Sequence, residues 1–328
     1  MKIRSLLLAV VVGASLVSAP AHAATQLSVG VAYDIGGRGD KSFNDASAAG
    51  LEKAQKQFDF NLEAVVTDGT SMDREKRIRS LITKKCNPII AIGAGYASTL
   101  QALAVEFPNT QFAIINDASV AALNVTSVVF ADTQGAYLAG YSAAQVSKSG
   151  KVAMIANPDQ ADLYKDGFSA GVFASKKKVI PIVKYVSGSY SLATSQVLDA
   201  GADVVFAATQ GSNSEIFKVI VARNAKKKGS NIGLINIEPD QYITVTSATK
   251  RFLFASVVKR VDKAIYDVIA LSAAKRAYLD ILDEDAGIYG RRYGITGGGI
   301  EFTIRSKELA ALSDSINVAA ATAEKILA

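Results

Sequence analysis

The fold is decided by residues 27–45, which read LSVGVAYDIGGRGDKSFND. The mostly apolar run Leu27–Tyr33 predicts a buried β-strand, and apolar residues at 3–4 spacing across Ser42–Phe58 predict a helix. Three glycines between them allow a sharp turn and the close approach of a ligand to the backbone. Their G-G-x-G spacing matches neither a dinucleotide fingerprint nor a P-loop. A strand, a glycine-rich loop and a helix in this order are typical of the first unit of an α/β domain.

The helix start offers candidate functional groups. Ser42 is positioned to cap the helix, with Asp45 completing a short capping box. Phe43 falls in the first turn, and this turn faces the crevice beyond the strand ends where open α/β sheets bind ligands. The alternative for Phe43 is a local hydrophobic staple.

The rest of the chain repeats the strand–helix alternation on both sides of Phe130. Further strands are predicted at 62–67, 88–92, 112–115, 125–130, 151–156, 179–186, 204–207, 232–237 and 254–258. Further helices are predicted at 71–84, 98–107, 160–175, 191–200, 214–227 and 261–277. Strands that are apolar on both faces favour parallel sheets covered by helices. We therefore predict an α/β protein with two doubly wound parallel-sheet domains.

The last part of the chain does not suggest a third domain. We expect it to cross between the first two, which makes the hinge a set of several segments. The expected lobes are residues 24–130 with about 259–290, and residues 131–258 with about 291–328.

Met1–Ala23 has the three parts of a secretory signal peptide. Lys2 and Arg4 precede a short apolar run, and Ala21-His22-Ala23 supplies a cleavage site. The apolar run is too short to span a bilayer comfortably, and no cysteine follows it to carry a lipid. We predict cleavage after Ala23 and a soluble periplasmic protein without a lipid anchor. Secretion from a Gram-positive cell is the alternative.

Composition excludes several kinds of site. Cleavage would leave 305 of the 328 residues and no histidine, because His22 is the sole one in the chain. That excludes Ser-His-Asp and Cys-His catalysis and His-ligated metals. Cys86 has no partner for an internal disulfide and is interpreted as a small buried residue. Loss of Lys2 and Arg4 lowers the formal charge from +6 to +4, which is too weak for a nucleic-acid footprint. We expect no cofactor and no metal.

The run Asp34-x-Gly-Gly-x-x-Asp40-Lys41-Ser42-Phe43-Asn44 resembles the opening motif of the basic membrane protein family. Its members are nucleoside-binding receptors of ABC importers. The resemblance covers nearly the whole mature chain. Further stretches that carry it are residues 112–115, 124–128, 135–140, 201–206, 240–242 and 256–262. It implies the type I periplasmic binding protein architecture, a monomer, a nucleoside-like ligand, and permease subunits in the inner membrane as partners.

The resemblance also implies site residues. In the family, aromatic rings sandwich the base between the lobes; Phe43 falls on one such position and Phe206 on the other. Asp34 and Asn44 would offer polar contacts beside the base. Stacking contributes about 1–3 kcal/mol per base.

Glu238 and Lys259 fall where the family binds the ribose, since a carboxylate can accept from both hydroxyls while an ammonium pairs its charge. Three ligand-contacting positions depart from the family pattern. The family has Ile-Ile-Asp where this chain has Ile115-Asn116, with Asp117 one residue later. It has Gly-Gly-Thr-Gly at residues 210–213, where this chain reads Gln-Gly-Ser-Asn and keeps Gly211, and it has Asp where this chain has Glu238.

Other functions stay open at this point. A receptor of the same fold for a sugar or a flavin is the alternative within the binding class. A hydrolase could use a pair drawn from Asp34, Asp40 and Asp117, although we expect no enzymatic activity. A transcription regulator of this architecture would need a helix-turn-helix where the signal peptide lies.

Overall fold

The computed structural model describes residues 26–326, except for 159–160, 187, 210–212, 227–228, 238–241, 243–244 and 279. The predicted signal peptide lies outside the described residues. So do Gln210, Gly211 and Glu238.

The strands in chain order are β1 (Leu27–Tyr33), β2 (Phe60–Val66), β3 (Ile89–Ile92), β4 (Phe112–Ile115), β5 (Val125–Phe130), β6 (Lys151–Ala156), β7 (Ile180–Tyr185), β8 (Val204–Ala208), β9 (Gly233–Ile237), β10 (Leu253–Lys259), β11 (Asp280–Asp283), β12 (Ile288–Tyr293) and β13 (Ile300–Ile304). The central ones are buried runs of aliphatic residues, as parallel strands covered on both faces require.

The helices are α1 (Phe43–Gln55), α2 (Ser71–Thr83), α3 (Ala97–Glu106), α4 (Asp132–Val146), α5 (Ala161–Ala174), α6 (Tyr190–Asp199), α7 (Ser214–Lys226), α8 (Ser247–Lys250), α9 (Val261–Ala273), α10 (Lys307–Ala310) and α11 (Ser313–Ile326). Hydroxyl side chains begin several of them. Thr70, Ser189 and Ser306 each accept a hydrogen bond from the N–H three residues later, at 3.1–3.2 Å, which satisfies a donor that the helix itself leaves unpaired.

These elements form two α/β lobes, as the sequence predicts. The sheet of the first lobe has the order β11-β12-β5-β4-β3-β1-β2, and the sheet of the second has β13-β10-β9-β8-β6-β7. Both sheets are mostly parallel, which confirms the prediction, and each has one antiparallel pair of strands at an edge. β11 runs antiparallel to β12, because a short turn joins them, and β13 runs antiparallel to β10.

Three segments of the described chain pass between the lobes: from β5 into α4, from β10 into α9, and from β12 into β13. α9 lies against α1 of the first lobe, where a Cβ on Gly50 would stand 2.4 Å from the carbonyl oxygen of Asp262. The boundary expected at about residue 290 falls inside β12.

The second lobe is built around an unusually close helix pair. A Cβ on Gly140 of α4 would lie 2.1 Å from the Phe168 carbonyl oxygen, and one on Gly171 of α5 would lie 2.0 Å from that of Tyr137. Glycine is therefore required at both positions. The contact fixes the start of α4 beside the start of α5, and both helix starts contribute to the site described below.

Cys86 is buried at 2% exposure, as the sequence suggests for a small apolar residue. Burial raises the pKa of its thiol, with a smaller opposing effect from the Ser28 hydroxyl. Because burial is the larger effect, Cys86 is a protonated, structural side chain.

Candidate functional site

The glycine-rich loop after β1 is held by two carboxylates. Asp40 accepts hydrogen bonds from the backbone N–H groups of Ser42, Asn44 and Asp45 at 2.8–3.1 Å. Asp45 accepts from two N–H groups of the loop, at 2.6 and 2.9 Å. The predicted capping box of Ser42 and Asp45 is therefore wrong: the Ser42 side chain makes no capping bond, and Asp40 caps α1 instead. The carboxylate reaches the N–H groups because the loop folds back over the helix start.

Asn44 joins the loop to the helix. Its side-chain oxygen accepts from the Asp34 N–H at 3.0 Å, and its amide nitrogen donates to the carbonyls of Asp34 and Ile35 at 3.4 Å. The residue is buried, so the amide mainly fixes the loop. Its expected contact with a base stays a prediction.

A pocket of about 400 Å³ opens beyond the carboxyl ends of β1, β3 and β4. This is the crevice in which open α/β sheets bind ligands. Four of the predicted ligand-binding residues line it together: Asp34, Phe43, Asn44 and Asn116. Gly93, Ala94 and Gly95 form another part of its wall.

Asp34 is paired with an arginine that the sequence did not point to. Arg74 of α2 donates to Asp34 Oδ1 at 2.7 Å and to the Gly69 carbonyl at 2.6 Å, and its side chain is 12% exposed. Its guanidinium lies 5.4 Å from the centre of the Tyr96 ring. Burial raises the pKa of Tyr96, whose hydroxyl donates to the Tyr33 carbonyl at 2.8 Å.

Two glycines of the pocket wall leave room for this ion pair. A Cβ on Gly93 would lie 3.1 Å from Asp34 Oδ2, and one on Gly95 would lie 2.6 Å from the guanidinium carbon of Arg74. Gly93 also has φ of +98°, which side-chain-bearing residues rarely adopt. Asp34 is therefore part of the pocket wall, while Arg74, which does not line the pocket, lies behind it.

Lys259, the last residue of β10, is 2% exposed and joins several chain segments. Its Nζ lies 2.8 and 3.0 Å from the two oxygens of Asp132, 3.1 Å from Tyr164 Oη and 3.3 Å from Asn116 Oδ1. Asn116 follows β4 of the first lobe, while Asp132 begins α4 and Tyr164 belongs to α5. The lysine therefore bridges the two lobes.

Aromatic rings surround the same ammonium. The ring centres of Phe43, Phe130 and Tyr164 lie 5.8, 6.0 and 5.7 Å from Lys259 Nζ. A cation at this range is attracted by the ring faces. Phe43 thus connects the pocket of the first lobe to the lysine of the second.

Asn116 has left-handed backbone geometry, with φ of +67°. Asparagine tolerates this region better than most residues. Its N–H donates to the Val128 carbonyl at 2.7 Å, which directs the side chain away from the sheet ladder. The next residue, Asp117, turns into its own loop and accepts from the Ser119 N–H and hydroxyl at 2.8 and 2.7 Å. Asp117 is therefore not brought into the pocket wall, and its expected ligand contact stays a prediction.

Phe206 is fully buried in β8. Its ring stacks on Phe168, with centres 5.8 Å apart and planes 16° apart, and meets the edge of Tyr164 at 6.4 Å. It therefore lies behind Tyr164, which in turn contacts Lys259. Stacking of Phe206 on a base stays a prediction.

Sequence reasoning missed Arg74, Asp132 and Tyr164. Asp132 carried a usable signal, because it begins the segment after β5 and so lies at a carboxyl end of the sheet. Arg74 and Tyr164 carried none, since each lies within an ordinary amphipathic helix.

No group of three or more histidine, cysteine, aspartate or glutamate side chains in the described part of the chain is arranged to hold a metal ion. None of the helices described has both the length and the apolar character needed to cross a bilayer.

Comparison with known proteins gives a consistent result. The model of a family described as ABC transporter substrate-binding protein, PnrA-like, matches residues 27–325. A CD4+ T-cell-stimulating antigen of Listeria innocua is 28% identical over 269 residues, covering 75% of this chain and 74% of that protein. The ABC transporter nucleoside-binding protein BmpA of Lactococcus lactis is 25% identical over 261 residues, covering 74% of each chain.

A solved structure extends the likeness to the whole fold. The structure described as ABC transporter solute-binding proteins from Aeropyrum pernix superimposes with a TM-score of 0.67 at 20% identity. The superposition covers 91% of this chain and 86% of the Aeropyrum pernix chain. At this identity the likeness supports the two-lobed fold alone.

Proposed function

This chain belongs to the PnrA-like family of ABC transporter substrate-binding proteins, and we propose that its substrate is a purine nucleoside bound between the two lobes. One observation carries the proposal. Phe43 lines the pocket together with Asp34, and the centre of its ring lies 5.8 Å from Nζ of the buried Lys259. A base over Phe43 would have one edge at Asp34. Its ribose would then lie towards Lys259.

The pocket has the size and the polarity for such a ligand. Its volume of about 400 Å³ falls within the roughly 300–1,000 Å³ of small-molecule sites. Phe43 supplies a flat apolar face, and Asp34 and Asn116 supply polar groups at the rim of that face. An aromatic face with a few placed polar groups is what a nucleobase requires.

The charges favour a neutral ligand. Asp34 is matched by Arg74, and Asp132 by Lys259. Asp40 is satisfied by the N–H groups at the start of α1, where the helix dipole favours a negative charge. A phosphate would have to compete with these carboxylates for their cations, so we infer a nucleoside rather than a nucleotide.

The ribose would bind at the lysine cluster. A hydroxyl placed there can donate to Asp132 and accept from Lys259, and both bonds are charge-assisted. Glu238, which lies outside the described residues, is proposed as a further ribose ligand on the resemblance alone. Gly211 and Phe206 are proposed on the same ground.

The lobes are proposed to close on the ligand. The hydrogen bond from Lys259 to Asn116 already joins residues of the two lobes across the crevice. A ligand that contacts both sides would favour the closed state by its differential affinity. Small-angle scattering should show a smaller radius of gyration with saturating nucleoside; an unchanged radius together with proven binding would contradict closure.

The location and partners belong to the same proposal. We propose export with cleavage after Ala23, a monomeric periplasmic protein without a lipid, and delivery of the nucleoside to permease subunits. N-terminal sequencing and intact mass of the exported protein test this: a chain that begins at Met1, or a lipid-sized increase in mass, would contradict it.

Calorimetry tests the ligand. The wild-type protein should bind inosine or guanosine more tightly than hypoxanthine or guanine, and more tightly than ribose or riboflavin. Phe43→Leu should weaken nucleoside binding by roughly 5- to 100-fold, the equivalent of about 1–3 kcal/mol of stacking. Phe173→Leu is the matched control, because this ring is 88% exposed on α5.

Three results would contradict the proposal. Tighter binding of ribose or riboflavin than of any nucleoside would point to another solute. Equal losses of nucleoside affinity in Phe43→Leu and Phe173→Leu would show that the base does not stack on Phe43. Release of free base from bound nucleoside, followed by chromatography, would show an enzyme rather than a carrier.

A further inference from the structure

The turn between α5 and β7 exposes three consecutive lysines, Lys176–Lys178, between two apolar side chains. Phe173, in the last turn of α5, is 88% exposed, and Ile180, the first residue of β7, is 60% exposed. Phenylalanine and isoleucine are among the residue types most often buried, so their joint exposure beside charged groups is informative. We call Phe173, Lys176–Lys178 and Ile180 the α5–β7 patch.

Hydrogen bonds hold the backbone of the patch in one shape. The N–H of Lys176 donates to the Phe173 carbonyl at 3.1 Å, and the N–H of Lys177 donates to the Ser175 hydroxyl at 3.2 Å. The N–H of Val179 donates to the Lys177 carbonyl at 2.9 Å. Lys176 has φ of +57°, the left-handed geometry that ends many helices. The lysines and the ring are therefore presented on an ordered turn.

The positive charge of the patch is not balanced by its surroundings. Within the described residues, none of the ammonium groups of Lys176–Lys178 forms an ion pair with a carboxylate. The N–H of Ile180 donates to the Gly150 carbonyl at 2.9 Å, so the loop before β6 lies beside the patch and adds the exposed Lys148. The carboxylate that this loop binds, Asp203, accepts from the N–H groups of Lys148 and its neighbour at 2.6 and 2.8 Å.

The same edge of the second sheet is basic along its length. The five parallel strands β6–β10 all begin there. The five residues that precede each of these strands include seven lysines and arginines and two aspartates. This excess of five positive charges nearly equals the formal charge of +6 of the whole chain. Such a one-sided distribution attracts an anionic surface from a distance.

We propose that the α5–β7 patch binds an anionic phospholipid surface, with Lys176–Lys178 among the headgroups and the Phe173 ring in the interface. Basic residues are attracted to anionic lipids, and aromatic and aliphatic side chains insert at the boundary between headgroups and acyl chains. A soluble polyanion would bind the lysines but would gain nothing from Phe173 and Ile180. The exposed apolar pair therefore favours a lipid.

Docking at this patch leaves the crevice open. The patch lies where the strands of the second sheet begin, whereas Lys259 lies at the opposite end of β10, beside the crevice. A protein held by its basic edge would keep the crevice accessible from solution. The inference concerns a different surface from the proposed nucleoside site, and its test needs no nucleoside.

Cosedimentation with vesicles tests the proposal. The exported wild-type protein should sediment with vesicles of equal parts phosphatidylglycerol and phosphatidylcholine and should stay in solution with vesicles of phosphatidylcholine alone. Its affinity for the anionic vesicles should fall by at least about tenfold between roughly 0.05 and 0.5 M salt, because salt screens exposed charges.

Two lysine triples separate the patch from net charge. Replacing Lys176–Lys178 by glutamine should weaken vesicle binding by at least about 20-fold, since each lysine near an anionic surface contributes roughly a factor of five. Replacing the exposed Lys56, Lys76 and Lys85 of the first lobe by glutamine removes the same charge. That change should weaken binding by about threefold or less, because it alters only the long-range field.

An apolar pair tests the insertion of the ring. Phe173→Ser should weaken vesicle binding by about tenfold through loss of one buried aromatic side chain. Leu123→Ser is the matched control and should leave binding unchanged. Leu123 is 86% exposed, and no lysine or arginine occurs in residues 86–147 around it.

Three results would overturn the proposal. The first is no sedimentation with phosphatidylglycerol vesicles at low salt. The second is an equal loss in the two lysine triples, which would make net charge rather than the patch responsible. The third is an unchanged affinity in Phe173→Ser; tight binding of polyphosphate would then identify a soluble polyanion as the partner.

Discussion

Replacing Lys259 by methionine should strongly destabilise the protein. The substitution keeps an unbranched side chain as far as Cε but removes an ammonium 2.8 Å from an Asp132 oxygen, in a side chain that is 1% exposed. At that distance, with an effective dielectric constant of about 20, the lost attraction is about 6 kcal/mol. Part of this loss is offset, because burying a methionine avoids the desolvation cost of burying an ammonium. We expect the free energy of unfolding to fall by about 3–5 kcal/mol, as when one member of a buried ion pair is removed.

The double variant separates this cause from general damage. Adding Asp132→Asn to Lys259→Met removes the stranded charge, so the double variant should lie only about 1–3 kcal/mol below the wild type, the cost of an unsatisfied neutral group. Urea unfolding followed by circular dichroism measures both, provided that the m-values agree. A loss below about 1 kcal/mol in Lys259→Met, or a double variant no more stable than it, would refute the reasoning.

Three other changes have expected outcomes. Cys86 should react with a thiol reagent in denaturant but not in the folded protein, because burial raises the pKa of its thiol; rapid labelling of the folded protein would contradict this. Gly171→Ala should lower stability by about 1–3 kcal/mol through overpacking against Tyr137, and an unchanged melting curve would show that α4 can shift. Asp40→Ala should cost roughly 0.5–2 kcal/mol by uncapping α1, with Asp40→Asn closer to wild type; equal losses in the two would argue against the cap.

Much of the fold was predictable where strands are short, continuous apolar runs. β1, β4, β5 and β6 begin and end at the predicted residues. Polar residues or glycine bound most of these run ends, so they are visible without knowledge of the packing.

Other elements could not be predicted because they lack the expected pattern. α4 is rich in alanine, glycine and serine and is buried on nearly all sides, so it shows no apolar stripe. β11 and β12 carry charged residues and are partly exposed; β11 is the edge strand and has β12 as its one partner, whereas β12 lies between β11 and β5. Their place depends on the crossing segments rather than on local sequence.

The site was predictable in position but not in its pairings. The strand–helix pattern places Phe43 at a helix start that faces the crevice, whereas Lys259 was singled out by the family resemblance alone. The partners of Asp34 and Lys259 are remote: Arg74 is 40 residues from Asp34, and Tyr164 and Asp132 are 95 and 127 residues from Lys259. A single sequence carries no signal for such pairs.

The strand order of the first lobe also bears on how the chain acquires its structure. β5 pairs with β12, and the partner of Ser127 in this pairing is Gly290, which follows 163 positions later in the chain. Until residue 293 is available, the outer edge of β5 is an unpaired row of donors and acceptors, open to other chains. Pairings this distant in sequence make folding slow. Because β13 likewise closes the second sheet only at residues 300–304, neither lobe can be completed until nearly the whole polypeptide has been synthesised.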